Sequence, residues 1–254
     1  MRLGATNRVG ATAPVTRTVF WVMVSLVAWQ LYQGLRIGAA VPTGSWPISG
    51  VDVVFLVLIP ALCAFTYIRL FLVLTQSARG TMNVYAALSS PWAWVFWLGV
   101  CITMIGHGVR VAGNALWRQL PEAFAQGEFA NKVSFLDVEF GYTLLGLGLF
   151  FMSLATLFVG YGANQRLTGP ERLLFLFGSL VSYGTLGIFM GVFAHQYIFT
   201  IAGGALLTFL GLMLVPPSEI TRDPITALMI PGAFASALVL LIWTLIVGGQ
   251  PTIG

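Results

Sequence analysis

The chain contains two histidines, His107 and His195, and few other groups able to carry a reaction. A periodic run surrounds the first: Thr103, His107, Arg110 and Asn114 follow at spacings of four, three and four. In a helix that spacing puts all four on one face, and Trp117 continues the stripe. His107, Asp137 and His195 are separated by 30 and 58 residues. Two imidazoles and a carboxylate can ligate a divalent metal, and three protein ligands plus water compose a catalytic zinc site. Such a water is a hydrolytic nucleophile near neutral pH, with Arg110 placed to bind an anionic group. That is a metal-dependent membrane hydrolase. A haem held by His107 and His195 is a third arrangement. No HxxxH or HExxH spacing ties any of these ligands together.

A plainer arrangement uses the same residues. Asp137 caps its helix and pairs with Arg110, and His107 hydrogen-bonds a backbone carbonyl. His195 is solvated at a turn, and the polar stripe holds helices together. Asp137 and Glu139 are two apart, about 200° around a helix. Asp137 shares a face with Gly141, Leu144 and Gly148, whose small residues admit a neighbouring helix. Asp137 is therefore the one expected to face inward.

Composition decides which elements position these groups. The 254 residues are 58% hydrophobic and only 8% charged, with a mean hydropathy of +0.91. Soluble domains average about 25% charged. That balance excludes a soluble globular domain, a disordered chain and a nucleic-acid binder, and leaves a polytopic membrane protein. Cys63 and Cys101 lie in apolar stretches and read as small buried hydrophobes.

A membrane-crossing helix needs about 20 mostly apolar residues. Seven are predicted: Thr18–Leu35, Val53–Thr75 with a kink at Pro60, Pro91–Trp117, Leu136–Val159, two from the apolar run Leu173–Val215, and Ile225–Val247. The long run must fold back once, at Ala194-His195-Gln196-Tyr197. Ser90-Pro91 opens the third span and Pro216-Pro217 stops the sixth. Thr168-Gly169-Pro170 separates the fourth from the fifth. Ser134-Phe135-Leu136-Asp137 fits a capping box opening the fourth. The segment Arg118–Ser134 permits a short amphipathic helix on the membrane surface. Gly184, Gly187 and Gly191 form a small-residue stripe suited to internal helix packing.

Arginine and lysine placement sets the orientation. With the N-terminus cytoplasmic, the inner side receives Arg2, Arg8, Arg17, Arg69, Arg79, Arg166, Arg172 and Arg222. The outer side receives Arg36, Arg110, Arg118 and Lys132. The C-terminus is then extracytoplasmic. The outer end also gathers Gln30, Gln33, Asp52, Glu122, Glu128, Asp137, Glu139 and His195. The expected organisation is a basic leader over residues 1–17, with the first helix retained as a signal anchor. A seven-helix all-α bundle spans 18–248, and a tail covers 249–254. The membrane is expected to be a bacterial-type cell or inner membrane. The partners expected are the lipid bilayer and membrane-protein subunits, with no nucleic acid.

Retinal chemistry needs a lysine in a span, and the only lysine, Lys132, is in a loop. Seven spans, the N-in topology and His and Asp near the outer side resemble the alkaline-ceramidase and adiponectin-receptor superfamily in architecture. That superfamily holds zinc through three histidines, two in a late HxxxH. With two histidines and no HxxxH, this chain takes over no site residue. The function expected is an accessory or structural subunit, or a binder of a lipid-like molecule. Its site is a polar pocket near the outer face, built from His107, Arg110, Asn114, Asp137 and His195.

Overall fold

In the computed structural model every described element is helical. The structure describes residues 12–35, 58–79, 89–119, 127–161, 166–192 and 194–249. Seven long helical segments run through them: α1 (Thr12–Leu35), α2 (Ile59–Arg79), α3 (Pro91–Gln119), α4 (Glu128–Gly160), α5 (Gly169–Val192), α6 (Tyr197–Leu214) and α7 (Pro224–Val247). Six of them, α2 to α7, are long and apolar enough to cross a membrane. α1 carries Arg17 and Gln30 within its length and is outside that set. Large apolar side chains stay exposed around the bundle, among them Leu173, Met213, Leu245 and Ile246. Such a surface suits lipid and not water. The chain is a polytopic membrane protein.

Local chemistry sets most helix ends. Pro91 follows Ser90, whose Oγ accepts from Ala93 N at 3.2 Å. Thr168 and Glu171 form a reciprocal capping box at the start of α5. Pro216 follows the end of α6, because proline cannot extend it. Asp223 caps α7, accepting from Ile225 N and Thr226 N at 3.0 and 2.9 Å. The turn between α5 and α6 includes residues 194–196, as the folded-back apolar run requires.

Other expectations need correcting. Ser134 is no cap: it has helical backbone angles and makes no side-chain cap bond. Glu128–Ser134 is helical, but it runs straight into the span instead of standing apart on the surface. A π-helical turn, Phe135–Phe140, joins the two parts. Pro60 is the second residue of the described α2, and the residues before Leu58 that bear on the expected kink lie outside the described residues. α1 begins at Thr12, so residues 12–17 of the expected leader are already helical. Cys63 is buried, but Cys101 is exposed on α3. Asp52, Glu122, residues 1–11, 53–57 and 250–254, and the side chains of Gln33, Arg79 and Arg118 lie outside the described residues.

Between helices in a bilayer, close packing replaces the hydrophobic effect as the main attraction. α3 and α4 show this most directly. Gly99, Gly106 and Gly113 recur every seven residues along α3 and face α4 in antiparallel order. A Cβ added at Gly99 would lie 2.7 Å from Gly148 O. One at Gly106 would lie 2.7 Å from Leu145 N, and one at Gly113 2.9 Å from the Asp137 Cβ. The two backbones touch, and no larger residue fits between them.

α7 is the most enclosed helix and packs against α1, α4, α5 and α6. Pro231 interrupts its hydrogen bonding, and Ser179 Oγ of α5 takes the N–H of Gly232 at 2.8 Å. The glycine stripe of α5 meets the same helix. A Cβ at Gly187 would lie 2.5 Å from Ser236 Oγ, and one at Gly191 2.5 Å from Leu240. The stripe therefore serves internal packing. A second π-helical turn, Leu180–Gly184, lies just before it. There Ser182 O accepts from Gln30 Nε2 of α1 at 2.5 Å.

Candidate functional site

The polar residues singled out in the sequence do gather at one end of the bundle. Arg110 of α3 pairs with Asp137 of α4, Nε to Oδ1 at 3.7 Å. The guanidinium also lies over the ring of Tyr142, with Cζ 3.7 Å from its centroid. A desolvated cation–π contact of this kind contributes about 2 kcal/mol. Gly141 makes the approach possible, because the Arg110 stem occupies the space its side chain would fill. Asp137 faces α3, while Glu139 is exposed. His107 is buried one turn below Arg110, and Asn114 is half-buried one turn above it.

His195 behaves differently. It sits exposed in the α5–α6 turn with φ of 58°. Its neighbour Gln196 is buried and donates from Nε2 to Glu139 O at 3.3 Å. The π turn of α4 thus presents Asp137 to α3 and a carbonyl to the α5–α6 turn. Among the described residues, no three His, Cys, Asp or Glu side chains are placed to hold a metal ion. His107, Asp137 and His195 do not form such a set. His107 is held inside, Asp137 is turned towards Arg110, and His195 faces outward.

Beneath this polar end lies a cavity of about 320 Å³ between α4, α5, α6 and α7. None of His107, Arg110, Asn114, Asp137 or His195 lines it. Its upper rim is Tyr142, Thr143 and Gln196, which join it to the Arg110–Asp137 pair. Its walls are Leu147, Phe150, Leu186, Met190, Phe199 and Leu207, opened by Gly146, Gly203 and Gly204. Ser153 and Tyr183 supply hydroxyls deeper in. Behind them stands Tyr67 of α2, fully buried. Ser153 Oγ is 2.9 Å from Tyr183 Oη and 3.4 Å from Tyr67 Oη, and the two phenols also contact each other. These three residues carry the signal that spacing does not reveal, since they come from three helices far apart in the chain. The available signal is a hydroxyl in the middle of an apolar span.

A second polar group marks the opposite end. Arg222 Nη1 binds Glu219 Oε1 at 2.8 Å, and Arg166 lies 3.8 Å from the same carboxylate. Leu167 N donates to Arg222 O at 2.7 Å, joining the α4–α5 and α6–α7 connections. A cleft of about 210 Å³ adjoins them, lined in part by Tyr161, Asp223 and Thr226. Burial pushes the Asp223 carboxyl above its ordinary pKa, opposed by hydrogen bonds from Thr226 and Ile225.

No protein-family model matches this chain, and no curated protein or solved structure matches it either.

Proposed function

We propose that this protein holds a lipid-like molecule in the cavity between α4, α5, α6 and α7. The observation that carries the reading is the cavity itself: about 320 Å³ between four apolar helices, apolar in its walls, with a few hydroxyls. Ligand sites have this character, and volumes of about 300–1,000 Å³ are typical. The proposed role is binding within a bacterial-type inner membrane, as an accessory subunit beside membrane-protein partners. All seven helices are taken as spans, with the N-terminus cytoplasmic and the cavity in the outer half. The arginine and lysine bias supports that orientation. Arg110, Asp137 and Tyr142 support the cavity rim, since pair and ring satisfy one another. His107 and Asn114 flank that rim, and His195 lies in the turn that closes it.

Gly203 gives the test. It lines the cavity, and a Cβ there meets only Phe150 at 3.7 Å, an ordinary contact. Gly203→Leu adds a side chain at the cavity wall from a position whose first added carbon meets no backbone. Wild-type protein purified in mild detergent is expected to carry about one lipid per chain by native mass spectrometry, and Gly203→Leu to lose it while melting normally. Equal lipid in both, or none in wild type, would refute the reading.

A further inference from the structure

We infer that the cavity selects an uncharged lipid whose head bears a carbonyl or hydroxyl oxygen, held by Ser153 and Tyr183. The inference rests on the lipid-binding reading above and narrows it to a chemical class.

The first ground is charge. Among the described residues, no Asp, Glu, Lys, Arg or His lines the cavity. A phosphate or ammonium head buried there would lack a counter-charge, and an unpaired ion in an apolar medium is strongly disfavoured. Arg110, which meets the rim through Tyr142, is turned to Asp137 and to the Tyr142 ring. A charged head must stay outside, and a neutral one can enter.

The second ground is the count of hydroxyl hydrogens. Tyr67, Ser153 and Tyr183 bring three O–H donors. The Tyr67–Tyr183 contact and the Ser153–Tyr183 contact at 2.9 Å use two of them. With Tyr67 donating to Tyr183, the hydrogen left over belongs to Tyr183 itself, or to Ser153, whose one remaining contact is Tyr67 at 3.4 Å, longer than a normal O–H···O bond. Rotating that hydrogen into the cavity therefore sacrifices little, and it aims a donor at any acceptor oxygen lodged there. The hydroxyls can accept in return from an alcohol.

The third ground is what Ser153 does not do. Thr75, Thr103, Thr143, Thr156, Thr200 and Thr208 each bond the carbonyl four residues back in their own helix. The hydrogen bonds of Ser153 go instead to the two tyrosines, across helices. It is 1% exposed, yet it lines the cavity. Tyr67 lies behind and touches no ligand, so it is a positioning residue for the other two.

The test compares heads on one chain. Hexadecan-2-one, hexadecane and hexadecyl phosphate are titrated into detergent-solubilised full-length protein, and affinity is read from the melting shift. Wild type is expected to prefer the ketone over the alkane and to exclude the phosphate. Tyr183→Phe is expected to weaken the ketone by between about two- and thirteenfold, the range for one neutral hydrogen bond, and to leave the alkane unchanged. Taking the ketone-to-alkane ratio within each variant removes any general loss of stability, and Ser153→Ala replaces Tyr183→Phe if the latter does not fold. Equal binding of ketone and alkane, preference for the phosphate, or an unchanged ratio in the variant would overturn the inference with lipid binding intact. Binding of none of the three by wild type would overturn both. Mass spectrometry of the co-purified lipid separates the two sources of this chemistry, a prenyl quinone and an acylglycerol.

Discussion

Gly99→Ala tests the seam between α3 and α4 with a single methyl group. The added carbon would lie 2.7 Å from Gly148 O and 2.8 Å from Met152 N, where ordinary contact begins at 3.4 Å. Both obstructing atoms are backbone, so no side-chain rotation relieves the clash and the helices must separate. Overpacking costs about 1–3 kcal/mol, and a backbone obstruction belongs at the upper end, about 2–3 kcal/mol. At roughly 2–4 °C per kcal/mol for a chain of this size, the melting temperature should fall by roughly 4–12 °C. Gly108→Ala is the control: it is on the same helix, and its added Cβ meets nothing within 4 Å. Its shift should stay within about 0.5 kcal/mol. Tryptophan fluorescence in detergent can follow both, because Trp92 of α3 stacks on Phe158 of α4 at 4.0 Å. Equal shifts for the two variants would refute the seam.

Other outcomes follow from the same geometry. Asp137→Asn leaves Arg110 without its counter-charge at a site where both side chains are under 20% exposed. It should destabilise by about 1–3 kcal/mol, less than a fully dry pair would lose. Arg110→Met with Asp137→Leu should recover much of that, and a silent Asp137→Asn melt would count against the pair. Asp223→Ala removes the α7 cap and should cost about 1 kcal/mol, whereas Asp223→Asn keeps an acceptor oxygen in place. Burial raises the Asp223 pKa, so the folded chain binds that proton more tightly than the unfolded chain does. The contribution is greatest below the ordinary carboxylate range and declines as pH rises through the raised value. Asp223→Asn should flatten that part of the melting-versus-pH curve, and an unchanged slope would assign it to another group. His195 occupies the left-handed region at φ 58°, so His195→Gly should stabilise by about 1 kcal/mol or less. A lower melting temperature would show that its side chain contributes to the turn.

The fold was legible wherever one strong local signal ended an apolar run. Ser90-Pro91, Thr168-Gly169-Pro170, Pro216-Pro217 and the 194–197 turn all fall at observed helix ends. The start of α4 was not legible. Glu128–Ser134 is polar enough to look like a loop, and it becomes helix because it continues a span already formed. Gly99, Gly106 and Gly113 are unremarkable one by one, and only their sevenfold spacing against Gly141 and Gly148 exposes the seam. The Arg110–Asp137 pair followed from the polar stripe. The cavity did not, because it is a space left by small residues on four helices, and sequence spacing records only side chains that share an element. Tyr67, Ser153 and Tyr183 meet only once those helices are packed.

The π turn at Leu180–Gly184 makes the length of α5 a matter of counting. A turn bonded five residues back holds one residue more than an α turn. Were the stretch to relax to a plain α-helix with its residue count unchanged, everything beyond it would rotate by about 100°. Gly187 and Gly191 would turn away from Ser236 and Leu240, and the α5–α6 turn would no longer bring Gln196 to Glu139. Deleting one residue inside the π turn takes the surplus away with the turn, so a plain α-helix would carry both glycines to the same partners. A deletion elsewhere in α5 has no such surplus to draw on and turns the stripe away.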